Sequence, residues 1–271
     1  MFRWWSLISQ GIARRQGRRE RWRATPFSPA WREIVARNVA YVRLLDEHER
    51  RELEGHAQVF LHEKRFEGCA GLGITDEIRV TIATQACILL LGRETEYYPS
   101  LRTILVYPSR YVVDAKSRQP DGVIIEGPQV RSGESWNIGA LVLAWDEARR
   151  GAMAIGDGQN LILHEFAHQL DDESGSVDGA PRLERMACYA TWARVLGREY
   201  ERLTTDLAQG RPTLLGRYAA TNPAEFFAVA TELFFERPLH LRGEHPALYD
   251  QLRGFYRQDP AGRLEMRRAS G

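Results

Sequence analysis

The sequence predicts an α+β protein in which helices flank a small mixed sheet. Apolar residues recur at spacings of three and four over the first and last parts of the 271-residue chain, as in amphipathic helices. Short β-branched and aromatic runs, bounded by Gly, Pro, Asn and Asp, fill the middle. Because no long polar linker separates these blocks, we predict a single domain over residues 26–265.

The first 25 residues differ in composition from the rest of the chain. Trp4 and Trp5 lie in a short apolar patch, and a dense run of arginines follows it. A secretory signal has the opposite order, with its charges before the apolar stretch, so export is not expected. We predict a flexible, arginine-rich tail over residues 1–25. A basic amphipathic segment that touches a membrane surface or a partner is the alternative.

Two helical stretches are predicted before the strands. The first extends from Trp31 to about Phe66, and its apolar residues include Ile34, Val35, Val39, Val42 and Leu45. Gly68 to Gly73 interrupts the pattern. The second covers Asp76 to Leu91, and its Asp-Glu opening suits the positive end of a helix dipole.

Four short strands are predicted next, and helices then return from about Asp157 to the C-terminus. The predicted strands are Thr103–Tyr107, Tyr111–Val113, Val123–Ile125 and Ala140–Trp145. We predict the last of them to be an exposed edge strand, along which an extended peptide could lie.

The bulk composition disfavours several classes of protein. The formal net charge is +1, so no nucleic-acid partner is expected. No apolar run reaches the roughly 18 residues that a transmembrane helix needs. The three cysteines are odd in number and match neither a disulfide framework nor a zinc ribbon. They favour a reducing compartment, and we therefore predict a cytoplasmic protein.

The sequence HEFAH, residues 164–168, is typical of a zinc-binding helix. His164 and His168 are four residues apart, so they project from one face of a helix and can share one zinc ion. Glu165 points beside the metal, where it can act as a general base. The pattern alone is equally compatible with two ordinary histidines. Its apolar surroundings favour the metal, because polar groups in a buried helix need partners.

A third zinc ligand is expected from the apolar helix predicted over residues 222–235. Glu225 is the main candidate. It also lies three residues after the predicted N-cap Asn222, where a capping-box glutamate would merely bond the N-cap amide. Glu232, two turns further along, is either a rival ligand or a hydrogen-bond partner of a ligand histidine.

Other titratable residues have less distinctive surroundings. Asp171 lies on the same face as the two histidines, where it either orients an imidazole or is an ordinary acidic residue at a helix end. The remaining histidines are expected to face solvent, and they are His48, His56, His62, His240 and His245.

Three segments together resemble a known family. They are HEFAHQLD (164–171), YAATNPAEFFAVATELFF (218–235) and VRSGESWNIGALVLAWDEARRG (130–151). They look like the Mlc titration factor A family of bacterial cytosolic zinc peptidases, and the resemblance covers about Ala36 to Pro260. It implies a zincin-like metalloprotease core of the gluzincin type, similar to the protease domain of anthrax lethal factor.

The resemblance also implies the roles of individual residues. His164, His168 and Glu225 would hold one Zn²⁺, and Glu165 would be the general base. Tyr218, seven residues before Glu225, falls on the catalytic tyrosine of the family and would hydrogen-bond the developing oxyanion.

The function implied is that of a zinc-dependent metallopeptidase that hydrolyses peptide bonds, as an aminopeptidase or as a limited endopeptidase. Its expected partners are peptide or protein substrates. The resemblance also implies a second kind of partner, a transcriptional repressor of the Mlc type, whose binding would control sugar uptake genes. The alternative is a non-catalytic, zinc-containing regulatory protein that sequesters a transcription factor.

Overall fold

The computed structural model describes residues 2–118, 124–131, 133–136 and 139–269. Two 3-10 turns, Ala40–Leu44 and Tyr218–Ala220, join a set of helices in this part of the chain. The helices are α1 (Phe2–Arg23), α2 (Pro29–Asn38), α3 (Glu47–Glu63), α4 (Asp76–Ile88), α5 (Trp145–Met153), α6 (Leu161–Asp172), α7 (Met186–Ala208), α8 (Pro223–Glu236), α9 (Pro238–Glu244), α10 (Pro246–Tyr256) and α11 (Pro260–Ala269). None of these helices is long and apolar enough to cross a membrane.

The strands form two small sheets among the described residues. They are β1 (Arg65–Gly68), β2 (Thr103–Tyr107), β3 (Tyr111–Arg118), β4 (Ile124–Arg131), β5 (Gly133–Trp136) and β6 (Ala140–Ala144). The larger sheet has the order β1-β2-β6-β5, in which β1, β2 and β6 are parallel and β5 is antiparallel. Strands β3 and β4 pair separately as an antiparallel hairpin. The predicted α+β class with a small mixed sheet is confirmed.

The prediction that Ala140–Trp145 is an edge strand is wrong. Strand β6 lies between β2 and β5, all five of its residues are buried, and Trp145 already begins α5. Its uninterrupted apolar run is typical of a strand covered on both faces. The edge on this side is β5. The hairpin strands are longer than predicted, and Val123 of the third predicted strand lies outside the described residues.

The helical stretch predicted from Trp31 to about Phe66 is divided into α2, the 3-10 turn Ala40–Leu44 and α3, because the chain restarts at a strong cap, and its last residues belong to β1. The side chain of Asp46 accepts a hydrogen bond from the backbone of Glu49 at 2.8 Å, and the Glu49 carboxylate accepts one from the Asp46 amide at 3.0 Å. This capping box begins α3. The apolar residues keep a helix-like spacing across this break, because the intervening 3-10 turn also directs its apolar side chains towards the core. The predicted helix from Asp76 corresponds to α4.

The N-terminal segment is helical, and its C-terminal end is held against the rest of the chain. Arg19 of α1 is only 7% exposed. Its guanidinium forms two hydrogen bonds with the Glu63 carboxylate, at 2.8 and 2.9 Å, and a third with Glu96 at 2.9 Å. A buried guanidinium in such a fork is well paired. The expectation of a flexible tail up to residue 25 is therefore wrong at this end of the segment.

Two of the histidines expected to face solvent are buried. His56 is 1% exposed and its Nδ1 lies 2.9 Å from the Tyr97 hydroxyl, while His245 is 6% exposed and its Nδ1 lies 2.7 Å from the Glu199 carboxylate. A buried imidazole requires such partners. The other three, His48, His62 and His240, are exposed.

A single cluster of buried side chains extends from Phe27 to Ala261. Helix α6 is packed into it through Phe166, whose ring lies 5.6 Å from Phe60 and 4.8 Å from Tyr98. Helix α8 lies against α6 and is buried over most of its length. These two packed helices carry the candidate site.

Candidate metal centre

Helix α6 places two imidazoles side by side. The side chain of Asn160 accepts a hydrogen bond from the Leu163 amide at 3.1 Å and caps the start of the helix. His164 and His168, one turn apart, bring their Nε2 atoms to within 3.3 Å of each other. Both side chains are only about a tenth exposed, at 11% and 12%. The predicted common face of the two histidines is confirmed.

Helix α8 brings Glu225 to the same point. Its Oε2 lies 3.1 Å from the Nε2 of His164 and 3.4 Å from that of His168. The cap of α8 is made by Asn222, whose side chain accepts from the Glu225 amide at 2.9 Å. Glu225 therefore takes part in the cap through its backbone and turns its carboxylate towards the histidines. The ligand atoms of these three residues all lie within 4.8 Å of one another.

Glu232 contacts the other nitrogen of His164. Its Oε1 lies 2.8 Å from Nδ1, and its Oε2 accepts a hydrogen bond from the Asn160 amide at 2.6 Å. A carboxylate at Nδ1 keeps a proton on that nitrogen, so Nε2 is the nitrogen whose lone pair a metal ion would take in place of a proton. Of the two roles considered for Glu232, the structure supports the partner of a histidine rather than the rival ligand.

The charges at the centre compensate one another. Burial lowers the pKa of His164, but hydrogen bonds with Glu225 and Glu232 outweigh it and raise the pKa to about 10. Burial likewise opposes ionisation of Glu225, yet the two imidazoles hold the pKa of its carboxyl well below the ordinary value. The site thus keeps a buried carboxylate ionised beside two imidazoles.

Residues 13–257 match the glucose-regulated metallo-peptidase M90 family over most of the chain. This chain belongs to the M90 metallopeptidase family. Its relatives include an uncharacterized protein of Synechocystis sp., 42% identical over 87% of this chain and 86% of that protein. They also include Mlc titration factor A of Serratia proteamaculans, 33% identical over 87% and 89%, and of Yersinia pestis, 32% identical over 87% and 86%.

An M90 metallopeptidase implies a metal ion, and the three converging residues suit one. Two imidazole nitrogens and a carboxylate oxygen are the ligands of many catalytic zinc sites, which keep a fourth position open. Two facing Nε2 atoms at 3.3 Å cannot both present lone pairs without a cation or a proton between them. The donor set of His164, His168 and Glu225 therefore fits the ion that the family implies.

Glu165 and Tyr218 of this M90 chain line the same cleft, which has a volume of about 1570 Å³. Glu165 is 6% exposed, and burial raises the pKa of its carboxyl although both imidazoles oppose the shift. Tyr218 is 59% exposed, and the centre of its ring lies 5.9 Å from that of His164. Partial burial and the nearby Glu225 carboxylate raise the pKa of the phenol, so it stays protonated and can donate a hydrogen bond.

Asp171 holds the loop after α6 instead of contacting a histidine directly. It is fully buried, and its Oδ2 accepts a hydrogen bond from the Gly179 amide at 2.7 Å. Its Oδ1 and the Nδ1 of His168 are both buried and have no hydrogen-bond partner in the described part of the chain. Burial raises the pKa of Asp171 to about 6. Anchoring of the loop is the role that the contacts support.

Glu236 is a residue that sequence reasoning missed. One of its oxygens accepts from the Asn160 side chain and the other from the Gly156 amide, both at 3.0 Å. Asn160 thus connects Glu236 to Glu232 and, through it, to His164. The only signal in the sequence is a carboxylate at the end of an apolar helix, four residues after Glu232. Such a residue needs buried partners, although their identity comes from the fold.

Proposed function

We propose that this protein is a zinc-dependent peptidase, with His164, His168 and Glu225 as the ligands of one Zn²⁺. The observation that carries the proposal is the convergence of these three residues in a cleft that Glu165 also lines. Membership of a metallopeptidase family supports the same reaction class. The zincin-like, gluzincin-type core and the cytoplasmic location expected from the sequence belong to this proposal.

Glu165 acts as the general base. When bound, zinc would polarise the scissile carbonyl and make a water molecule more acidic. Glu165 accepts the proton of the attacking water and delivers it to the departing amine. Its burial favours this shuttle, because a raised pKa brings the carboxyl nearer to the pH at which it must both accept and return a proton.

Tyr218 stabilises the oxyanion that forms as water attacks. Its phenol is on the cleft wall beside His164 and stays protonated, so it donates a hydrogen bond without acting as a base. A donor of this kind is effective because it is oriented before the charge develops. The peptide lies in extended form along the edge strand β5, which replaces β6 in this role.

The test pairs metal analysis with peptide cleavage by the Glu165→Gln variant. We expect this variant to keep one zinc per chain while kcat falls by about 10²–10⁴, because only the proton transfer is removed. Glu201→Gln, an exposed carboxylate on α7, is the matched control and should retain both zinc and activity. A zinc-loaded Glu165→Gln variant with full activity would disprove the mechanism.

A second candidate is a regulatory protein that uses zinc only structurally and sequesters a repressor of the Mlc type. The name Mlc titration factor A, borne by relatives at 32–33% identity, favours it. Relief of repression in cells that express Glu165→Gln separates the two functions. If repression is relieved as well by this variant as by the wild type, the regulatory effect does not depend on catalysis.

A further inference from the structure

The cleft has a long axis that follows α8. Residues at intervals of four line it, namely Glu225, Val229 and Leu233 on the helix and Arg237 at its C-cap. Arg237 lies twelve residues after Glu225, which corresponds to about 18 Å along a helix axis. The metal centre is therefore followed by a stretch lined by Val229, Glu232 and Leu233, and then by a cation.

Arg237 is held in place but not neutralised. It is half-buried at the C-terminal end of α8, and the loop at Gly158 packs on its methylene groups. A Cβ atom at Gly158 would lie 3.1 Å from the Cδ of Arg237. Arg110, another arginine of the cleft, forms an ion pair with Glu147. No acceptor for the guanidinium of Arg237 occurs among the described residues.

The two ends of the cleft differ in charge. Helices α6 and α8 lie antiparallel, since Asn160 before α6 contacts Glu236 near the end of α8, and Gly179 after α6 lies against Pro223 at the start of α8. Asp172 and Asp178 line the end opposite Arg237, together with the exposed Arg217 just before α8, so acidic groups outnumber basic ones there. At the arginine end, the carboxylate of Asp157 accepts a hydrogen bond from the Gln159 amide at 2.9 Å and forms no ion pair with Arg237.

We propose that Arg237 binds a carboxylate of the peptide substrate, either the C-terminal one or that of an Asp or Glu side chain. This inference rests on the proposed peptidase function. A peptide that lies along the cleft meets acidic residues at one end and Arg237 at the other, so its carboxyl-terminal part lies towards Arg237. The guanidinium suits a carboxylate because its fork of donors matches the two oxygens.

The position of Arg237 also defines a length. An extended peptide advances about 3.3 Å per residue, so 18 Å corresponds to roughly five residues. The preferred carboxylate is thus about five residues beyond the scissile bond. Shorter substrates cannot bring a carboxylate to Arg237, and longer ones carry their C-terminal charge past it.

The test compares peptides that share a cleavage site and have three to eight residues after it, each as the free acid and as the C-terminal amide. For the wild type with Zn²⁺, we expect the acid to have about tenfold higher kcat/KM than the amide at a length near five, mainly through KM. An amidated longer peptide with Asp at the fifth position should regain this advantage. Equal values for acid and amide at every length, without a gain from Asp, would overturn the inference.

Variants identify the residue responsible. Arg237→Gln should lower kcat/KM for the acid about tenfold more than for the amide and so abolish the preference, and Arg237→Lys should retain part of it. Arg194→Gln, an exposed arginine on α7, is the control and should keep the full preference. A loss by Arg237→Gln that is equal for acid and amide would refute a carboxylate site.

Binding to Glu165→Gln separates this inference from the proposed function. Fluorescence anisotropy gives the Kd of labelled acid and amide peptides without cleavage. If the wild type cleaves no peptide but Glu165→Gln binds the acid about tenfold more tightly, the peptidase proposal fails and the carboxylate site stands. Equal Kd values for acid and amide would refute the carboxylate site, whether or not the wild type is active.

Discussion

Replacing Glu232 by glutamine should weaken zinc binding without removing a ligand. The carboxylate accepts from Nδ1 of His164 at 2.8 Å and from the Asn160 amide at 2.6 Å, and the side chain is 11% exposed. Glutamine keeps the shape but removes the charge, and its single oxygen can serve only one of these donors in full. A hydrogen bond to a charged group contributes about 1.5–3 kcal/mol. The zinc affinity should therefore fall by about 10–100-fold.

The assay is competition for Zn²⁺ between the protein and a chromogenic chelator at fixed pH. Glu244→Gln, an exposed carboxylate on α9, serves as the matched control and should bind zinc like the wild type. Glu225→Gln should lose more affinity than Glu232→Gln, because it replaces a proposed ligand. Thermal unfolding of the metal-free proteins separates a loss of affinity from a loss of fold.

Two results would refute the reasoning about Glu232. One is a zinc Kd for Glu232→Gln within twofold of the wild-type value. The other is a loss as large as that of Glu225→Gln, which would make Glu232 a ligand. Either outcome would show that the contact with Nδ1 does not determine which nitrogen of His164 faces the metal.

Three further predictions concern other contacts. Tyr218→Phe should lower kcat by about 10²–10³ with little change in KM, and equal kcat values would remove Tyr218 from the mechanism. Arg19→Gln removes the buried pair of hydrogen bonds with Glu63, so it should lower the free energy of unfolding in urea by about 1–3 kcal/mol. It should also speed tryptic cleavage within α1. An unchanged urea midpoint and an unchanged cleavage rate would argue against that contact. Burial raises the pKa of Glu236 to about 7, above that of the unfolded chain, so the folded state binds more protons and stability falls as the pH rises from about 4.5 to 7. Over this pH range the free energy of unfolding of Glu236→Gln should fall by up to roughly 3 kcal/mol less than that of the wild type. Parallel pH profiles for the two proteins would contradict this expectation.

Much of the local structure could be predicted from short stretches of sequence. The spacing of His164 and His168 places them on one helical face by the geometry of the helix alone. Asn222 begins α8 because a side-chain oxygen there satisfies an amide that the helix leaves free. Such features depend only on residues a few positions away in the sequence. They can therefore be predicted correctly even when the predicted topology is wrong.

Contacts between distant parts of the chain could not be predicted in the same way. The sequence has two carboxylates in one apolar helix, Glu225 and Glu232, and the local pattern does not determine which of them faces the metal site. Only the packing of α8 against α6 places the first at Nε2 of His164 and the second at Nδ1, across 61 and 68 residues of chain. The central place of β6 and the burial of Arg19 likewise depend on partners remote in sequence.

By itself, then, the sequence determined the α+β class, the common face of His164 and His168 on α6 and the cap that starts α8. Tertiary structure decided which carboxylate lies at the two Nε2 atoms, which strand forms the edge, and where Arg237 lies relative to the candidate metal centre. The physical reason is that periodicity and capping act within one or two turns. Convergence of ligands is set by how the buried faces of separate elements pack.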